Sequence, residues 1–136
     1  MARTEGSMDE PPPQSKLPPI ASVVEEAFAA WMWLDARVAS FPALARGHLG
    51  HRMLDATLDA LSATTEAQFV PRGRQRLALL THVNRKLSLL RILLRGARER
   101  RHISVDQHEH ASRLIDSWGR QIGGWLRAEN QRKEAP

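Results

Sequence analysis

Residues 80–97 read LTHVNRKLSLLRILLRGA, and this stretch decides the fold. Leu80, Val83, Leu87, Leu90, Leu94 and Ala97 recur at spacings of 3, 4, 3, 4 and 3. That period lines one face of an α-helix, whereas a strand would alternate every second residue. The helix has apolar surface to spare: at 100° per residue, Leu89 and Ile92 lie away from the stripe and Leu93 lies between the two sides. Two readings stand. Leu89 and Ile92 are tolerated surface residues, or they form a second face that packs on another subunit; the second is the expectation.

The same period extends in both directions. Upstream, Ile20, Val24, Ala27, Trp31, Leu34, Val38 and Phe41 are spaced 4, 3, 4, 3, 4 and 3, with Pro18-Pro19 as a start and Pro42 as a stop. Leu49, Met53, Ala56, Ala60, Ala63 and Ala67 repeat the pattern up to a turn signal at Val70-Pro71-Arg72-Gly73. Downstream of a third helix running to about Arg101, Ser104 and Gln107 form a capping box. A fourth stripe follows at His108, Ala111, Ile115, Trp118, Ile122 and Trp125. Four helices with short connections predict an all-α, up-down-up-down antiparallel four-helix bundle. Its expected extent is residues 19–128, between a disordered proline-rich leader at 1–18 and a flexible polar tail at 129–136.

Composition bounds the function. The chain has 136 residues, 42% hydrophobic and 26% charged, which suits one soluble globular domain. No cysteine is present, which excludes disulfides, thiolate catalysis and cysteine-ligated metals. No secretory signal and no run of about 18 apolar residues is found, so a cytoplasmic protein with no membrane partner is expected.

The net charge of +5 conceals an asymmetry. Residues 72–101 hold ten basic residues, Arg72, Arg74, Arg76, Arg85, Lys86, Arg91, Arg95, Arg98, Arg100 and Arg101, and the single acid Glu99, for a net +9. The other 106 residues hold 10 basic and 14 acidic residues, a net of −4. Arg91, Arg95, Arg98 and His102 share a strip beside the core stripe, while Arg74 and Arg85 point outward. Guanidinium groups at that pitch suit phosphates of a nucleic-acid backbone, because they stay charged and bind bidentately. A solvated face balanced by Asp55, Asp59, Asp106, Glu109 or Asp116 is the competing reading. Trp33 is the one aromatic read as clearly off a core stripe, so base-specific readout looks poor.

Catalytic chemistry finds no support. A di-iron site in a bundle needs two Glu-x-x-His pairs and two further inward glutamates. Only Glu99-x-x-His102 fits, while His48 and His51 lack a third ligand. No nucleophile triad, phosphate loop or inward carboxylate pair is evident, so neither metal, cofactor nor enzymatic activity is expected. Gly119, Gly123 and Gly124 interrupt the fourth helical pattern, each costing about 1 kcal/mol relative to alanine. Either Gly119 and Gly123 admit another backbone, or Gly123-Gly124 ends or kinks the helix.

Three segments carry a family resemblance. Phe41-Pro42-Ala43-Leu44-Ala45-Arg46-Gly47-His48-Leu49-Gly50-His51-Arg52 resembles the opening of the second helix in the accessory variability determinant (Avd, or bAvd-like) family of diversity-generating retroelements. Leu90-Arg91-Ile92-Leu93-Leu94-Arg95-Gly96-Ala97 and Gly119-Arg120-Gln121-Ile122-Gly123-Gly124-Trp125 follow in the family's order. The family is similar in turn to four-helix proteins encoded in 23S ribosomal RNA intervening sequences. The resemblance implies a barrel-like homopentamer with a basic surface that binds a reverse transcriptase together with its RNA or cDNA. The accessory chain then supports mutagenic reverse transcription without supplying a catalytic residue.

On that reading Arg74, Arg85, Lys86, Arg91, Arg95, Arg98 and Arg101 are the nucleic-acid or polymerase contacts, and Leu89 and Ile92 the subunit interface. Phe41, Pro42, Arg46, Gly50, Arg52, Gly123, Gly124 and Trp125 are the family-motif positions. Arg46 and Arg52 are also placed to anchor a carboxylate of the bundle. An oligomeric scaffold of the intervening-sequence type, with no polymerase partner, is the alternative.

Overall fold

Pro42 sits where the first apolar stripe ends, and the chain turns there. In the computed structural model, which describes residues 20–134, α1 spans Ile20–Ala39 and closes with Phe41 buried beneath the turn. A helical turn at Ala43–Ala45 and a π-helical turn at Arg46–Gly50 then lead into α2, His51–Ala67. α3 spans Arg74–Glu99 and α4 spans Val105–Glu134. The leader at 1–18, with its expected proline start, lies outside the described residues. Among those residues every element is helical, and the predicted four-helix bundle is found.

α1 packs on α2 and α4, and α3 packs on the same two helices, so α1 and α3 stand at diagonal corners. The core follows the stripes. All six positions of the third stripe are buried, and α2 contributes Met53 with Ala56, Ala60, Ala63 and Ala67. These small residues let α2 approach closely, and Trp118 of α4 fills the space they leave. Trp118 Nε1 donates to Thr64 Oγ1 at 3.2 Å, and Thr64 in turn donates to the Ala60 carbonyl at 2.7 Å. The indole is thus buried with its one donor satisfied. On α1 the face is rotated slightly from the expected one: Val23, Ala27, Ala30, Leu34 and Val38 are buried, while Val24 and Trp31 are half-buried.

The α3–α4 turn is built by two local rules. Gln107 N donates to Ser104 Oγ at 3.0 Å and Ser104 N to Gln107 Oε1 at 2.9 Å, the reciprocal pair of a capping box. Before it, His102 N reaches the Ala97 carbonyl at 2.8 Å and Arg101 N the Arg98 carbonyl at 2.9 Å. This is the Schellman pairing, and Arg101 takes the left-handed position at φ 64 that glycine usually occupies.

The far end corrects the expected boundary at residue 128. α4 passes through Gly123-Gly124 without stopping and continues to Glu134. Glu129, expected to begin a polar tail, is buried. Its Oε1 accepts from Gly73 N at 2.9 Å, while Oε2 lies 3.7 Å from Arg72 Nε and 3.9 Å from Arg76 Nη1. Arg76 is buried as well, donating through Nε to the Ala67 carbonyl and through Nη2 to the Val70 carbonyl. One carboxylate therefore ties the end of α4 to the α2–α3 connection.

Candidate nucleic-acid interface

The basic residues of the 72–101 segment divide into three groups once their partners are known. Arg76 is buried in the Glu129 clamp and does not contribute to an open basic surface, while Arg72 leans on the same carboxylate but is half-exposed. Lys86 is half-buried and paired with Asp59 of α2 at 3.4 Å, so this expected contact serves the α2–α3 packing. Arg91 pairs with Asp116 of α4 at 3.3 Å, and Arg98 with its neighbour Glu99 at 2.9 Å. Hydrogen bonding and charge from Arg98, with charge from Arg95, hold the Glu99 carboxyl below its usual range. Both ion pairs are solvent-accessible, and exposed pairs are weak, so phosphates can compete for these guanidinium groups.

The third group meets no carboxylate within ion-pair distance among the described residues: Arg74, Arg85, Arg95, Arg100 and Arg101, all exposed. Arg95, Arg98, Arg100 and Arg101 are close in sequence at the C-terminal end of α3. The turn there is an open polar depression of about 590 Å³ bordered by Arg98, Arg101 and Ser104. The strip of Arg91, Arg95 and Arg98 is thus present. His102 does not extend it freely: its ring lies 5.3 Å from that of Phe41 and is half-buried.

The aromatic reading needs correction. Trp33 is half-buried, 5.1 Å from the His110 ring and 5.7 Å from the Arg37 guanidinium, so it offers no open stacking platform. The exposed aromatics are Phe28 and Phe69, neither of which stands out in the stripe reading.

The motif positions have physical duties. Arg46 Nη1 donates to the Phe41 carbonyl at 2.9 Å, so it anchors backbone, and Arg52 is exposed and forms no ion pair among the described residues. Gly50 is buried where the π-helical turn crosses α1. Trp125 lies half-buried with its ring centroid 5.9 Å from the Arg76 guanidinium carbon, beside the Glu129 clamp, and Gly124 is buried nearby in the chain. Gly119 accommodates a side chain rather than a backbone: a Cβ there would fall 2.7 Å from Nη2 of Arg91. At the α3 surface Leu89 is 38% and Ile92 67% exposed.

Among the described residues no helix is long and apolar enough to cross a membrane. A sequence model described as bAvd-like matches residues 24–129, well over half of the chain. No curated protein matches it.

Proposed function

Since the chain belongs to the bAvd-like family, matched from the first helix into the last, we propose that it is a non-catalytic accessory protein of a diversity-generating retroelement. In this reading it is a cytoplasmic homo-oligomer, a pentamer on the family's pattern. Its basic surface holds the template RNA or the cDNA, and the reverse transcriptase with it. The polymerase supplies the chemistry.

The observation that carries the nucleic-acid part is the guanidinium surface from Arg91 to Arg101, in which, among the described residues, only Arg91 and Arg98 meet a carboxylate. A face of this kind binds phosphates without reading bases. Affinity for structured RNA is expected to fall steeply with salt. Arg91→Gln, Arg98→Gln and Arg101→Gln are each expected to flatten the log–log salt dependence by about 1. Fluorescence anisotropy between low and physiological salt measures it, and unchanged slopes in all three variants would remove the assigned surface. The retroelement part requires a reverse-transcriptase gene, with paired template and variable repeats, beside the gene for this chain.

Arg101 offers a second check. A side chain at φ 64 costs roughly 1 kcal/mol that glycine avoids. Arg101→Gly is therefore expected to stabilise the fold by about 0.5–1 kcal/mol in denaturant titration, while weakening RNA binding like Arg101→Gln. Strain kept at a binding position fits a residue retained for contact rather than for folding. A variant that is stabilised and binds RNA undiminished would take Arg101 out of the interface.

A further inference from the structure

The apolar face of α3 has a counterpart on α1. Phe28 is 47% and Met32 50% exposed on the outside of that helix. Glu25 and Asp35, both exposed, continue the same row at spacings of 3, 4 and 3. By helical angle Arg37, the one basic residue of α1, lies on another side. On α3 the order is the same with the charge inverted: Arg85 precedes Leu89 and Ile92, and Arg95 follows them. One helix thus presents acid, apolar, apolar, acid, and the other presents base, apolar, apolar, base.

Neither row suits itself. Two α1 rows together would crowd carboxylates, and two α3 rows would crowd guanidinium groups, whereas α1 against α3 pairs opposite charges around a shared apolar centre. Within one chain the two helices stand at diagonal corners, so their outer faces point apart and cannot meet. The α3 row also opens on a depression of about 700 Å³ lined by Leu44, Leu49, Ile92 and Leu93, room enough for a bulky apolar side chain.

We propose that a second copy of this chain docks its α1 row, Glu25, Phe28, Met32 and Asp35, on the α3 row of Arg85, Leu89, Ile92 and Arg95. The contact is heterologous, so each subunit keeps one donor and one acceptor face, and the assembly closes as a ring or grows on. This rests on the oligomeric part of the function proposed above and names the partner face that part leaves open.

Two double variants test it, F28E/M32E and L89E/I92E, each damaging one row and sparing the other. In sedimentation velocity at micromolar concentration the unaltered chain is expected to assemble beyond a dimer. Each variant by itself is expected to be monomeric, with association weakened about 100-fold or more. Their equimolar mixture is expected to give a 1:1 dimer, because the intact α3 row of one meets the intact α1 row of the other.

Either variant assembling by itself, or a mixture that stays monomeric, overturns the pairing. Should a glutamate pair unfold the bundle, E25R/D35R mixed with R85E/R95E provides the same test in charge: each by itself is weakened because its altered row repels its own intact partner row, and the mixture regains assembly because intact α1 meets intact α3 and altered α1 meets altered α3. Restored assembly of a chain carrying all four reversals is then the expected result, and its absence counts against the proposal. A monomeric parent chain would overturn both this pairing and the oligomeric reading, whereas failure of the pairing alone leaves the RNA test with Arg91, Arg98 and Arg101 untouched.

Discussion

Glu129→Ala is expected to destabilise the protein by about 3–5 kcal/mol, the range for removing one partner of a buried ion pair. The carboxylate is buried at the centre of three interactions. Its loss would leave Gly73 N without its 2.9 Å acceptor and Arg76 as a buried cation facing two backbone carbonyls and the Trp125 ring with no counter-charge. Arg72 is half-exposed and can turn to water, so it contributes little to the cost. Glu129→Gln keeps an acceptor for Gly73 but no charge for Arg76, and is expected to fall between Glu129→Ala and the parent. Removing both charges with E129L/R76L is expected to cost less than E129A, since no unpaired ion remains. Urea denaturation followed by circular dichroism reads all three. A cost of E129A below about 0.5 kcal/mol would mean that the end of α4 is not fixed by this contact.

That clamp was legible in the sequence, although residue type hid it. Continuing the fourth stripe four residues beyond Trp125 lands on Glu129, and stepping four residues back from Leu80 lands on Arg76. Both are core positions at the end of the bundle where an antiparallel α3 starts and α4 finishes. Period predicts burial, polarity predicts exposure, and here opposite charges on facing helices let period prevail. The bundle and its connections were equally legible, because caps, prolines and stripes agreed with one another. Which arginines are open to a ligand was not. Arg76 and Lys86 differ from Arg85 and Arg95 only in what lies opposite, and that depends on how the helices are rotated. The α1 row escaped for a related reason, since Phe28 and Met32 sit on the outside of an otherwise ordinary amphipathic helix.

The partition of the α3 surface bears on how such a protein can work. Its apolar row and its guanidinium strip occupy neighbouring sides of one helix, so the proposed subunit contact and the proposed nucleic-acid contact lie next to each other. A ring built through the first would set the strips of successive subunits side by side. A polyanion could then span several weak phosphate surfaces at once, and binding gains from multivalency what each strip lacks in specificity. On this arrangement, RNA affinity should depend on assembly even for variants whose strip is intact.

Gly50→Ala is expected to cost about 3 kcal/mol, the upper part of the range for overpacking, although alanine in a helix interior normally gains about 1 kcal/mol over glycine. The difference lies in what the new methyl would meet. A Cβ at Gly50 falls 2.6 Å from Val38 Cγ1, 3.3 Å from the Ala45 carbonyl oxygen and 3.4 Å from Phe41 Cδ2. Val38 is stiff at χ1 and nearly buried, so it cannot swing aside as a long side chain would. Relief requires the π-helical turn to lift from α1, which would disturb the Arg46 bond to the Phe41 carbonyl. Gly47, three residues earlier on the open side of the same turn, has nothing within 4 Å of its Cβ position. Gly47→Ala is therefore expected to be neutral or to stabilise slightly, which makes it the control for propensity. Val38→Ala should open a cavity by itself, yet combined with Gly50→Ala it should lose less than the two costs added together, because each relieves the other. Additive losses in that cycle would show that the motif glycine is required for some reason other than the close passage of the turn over α1.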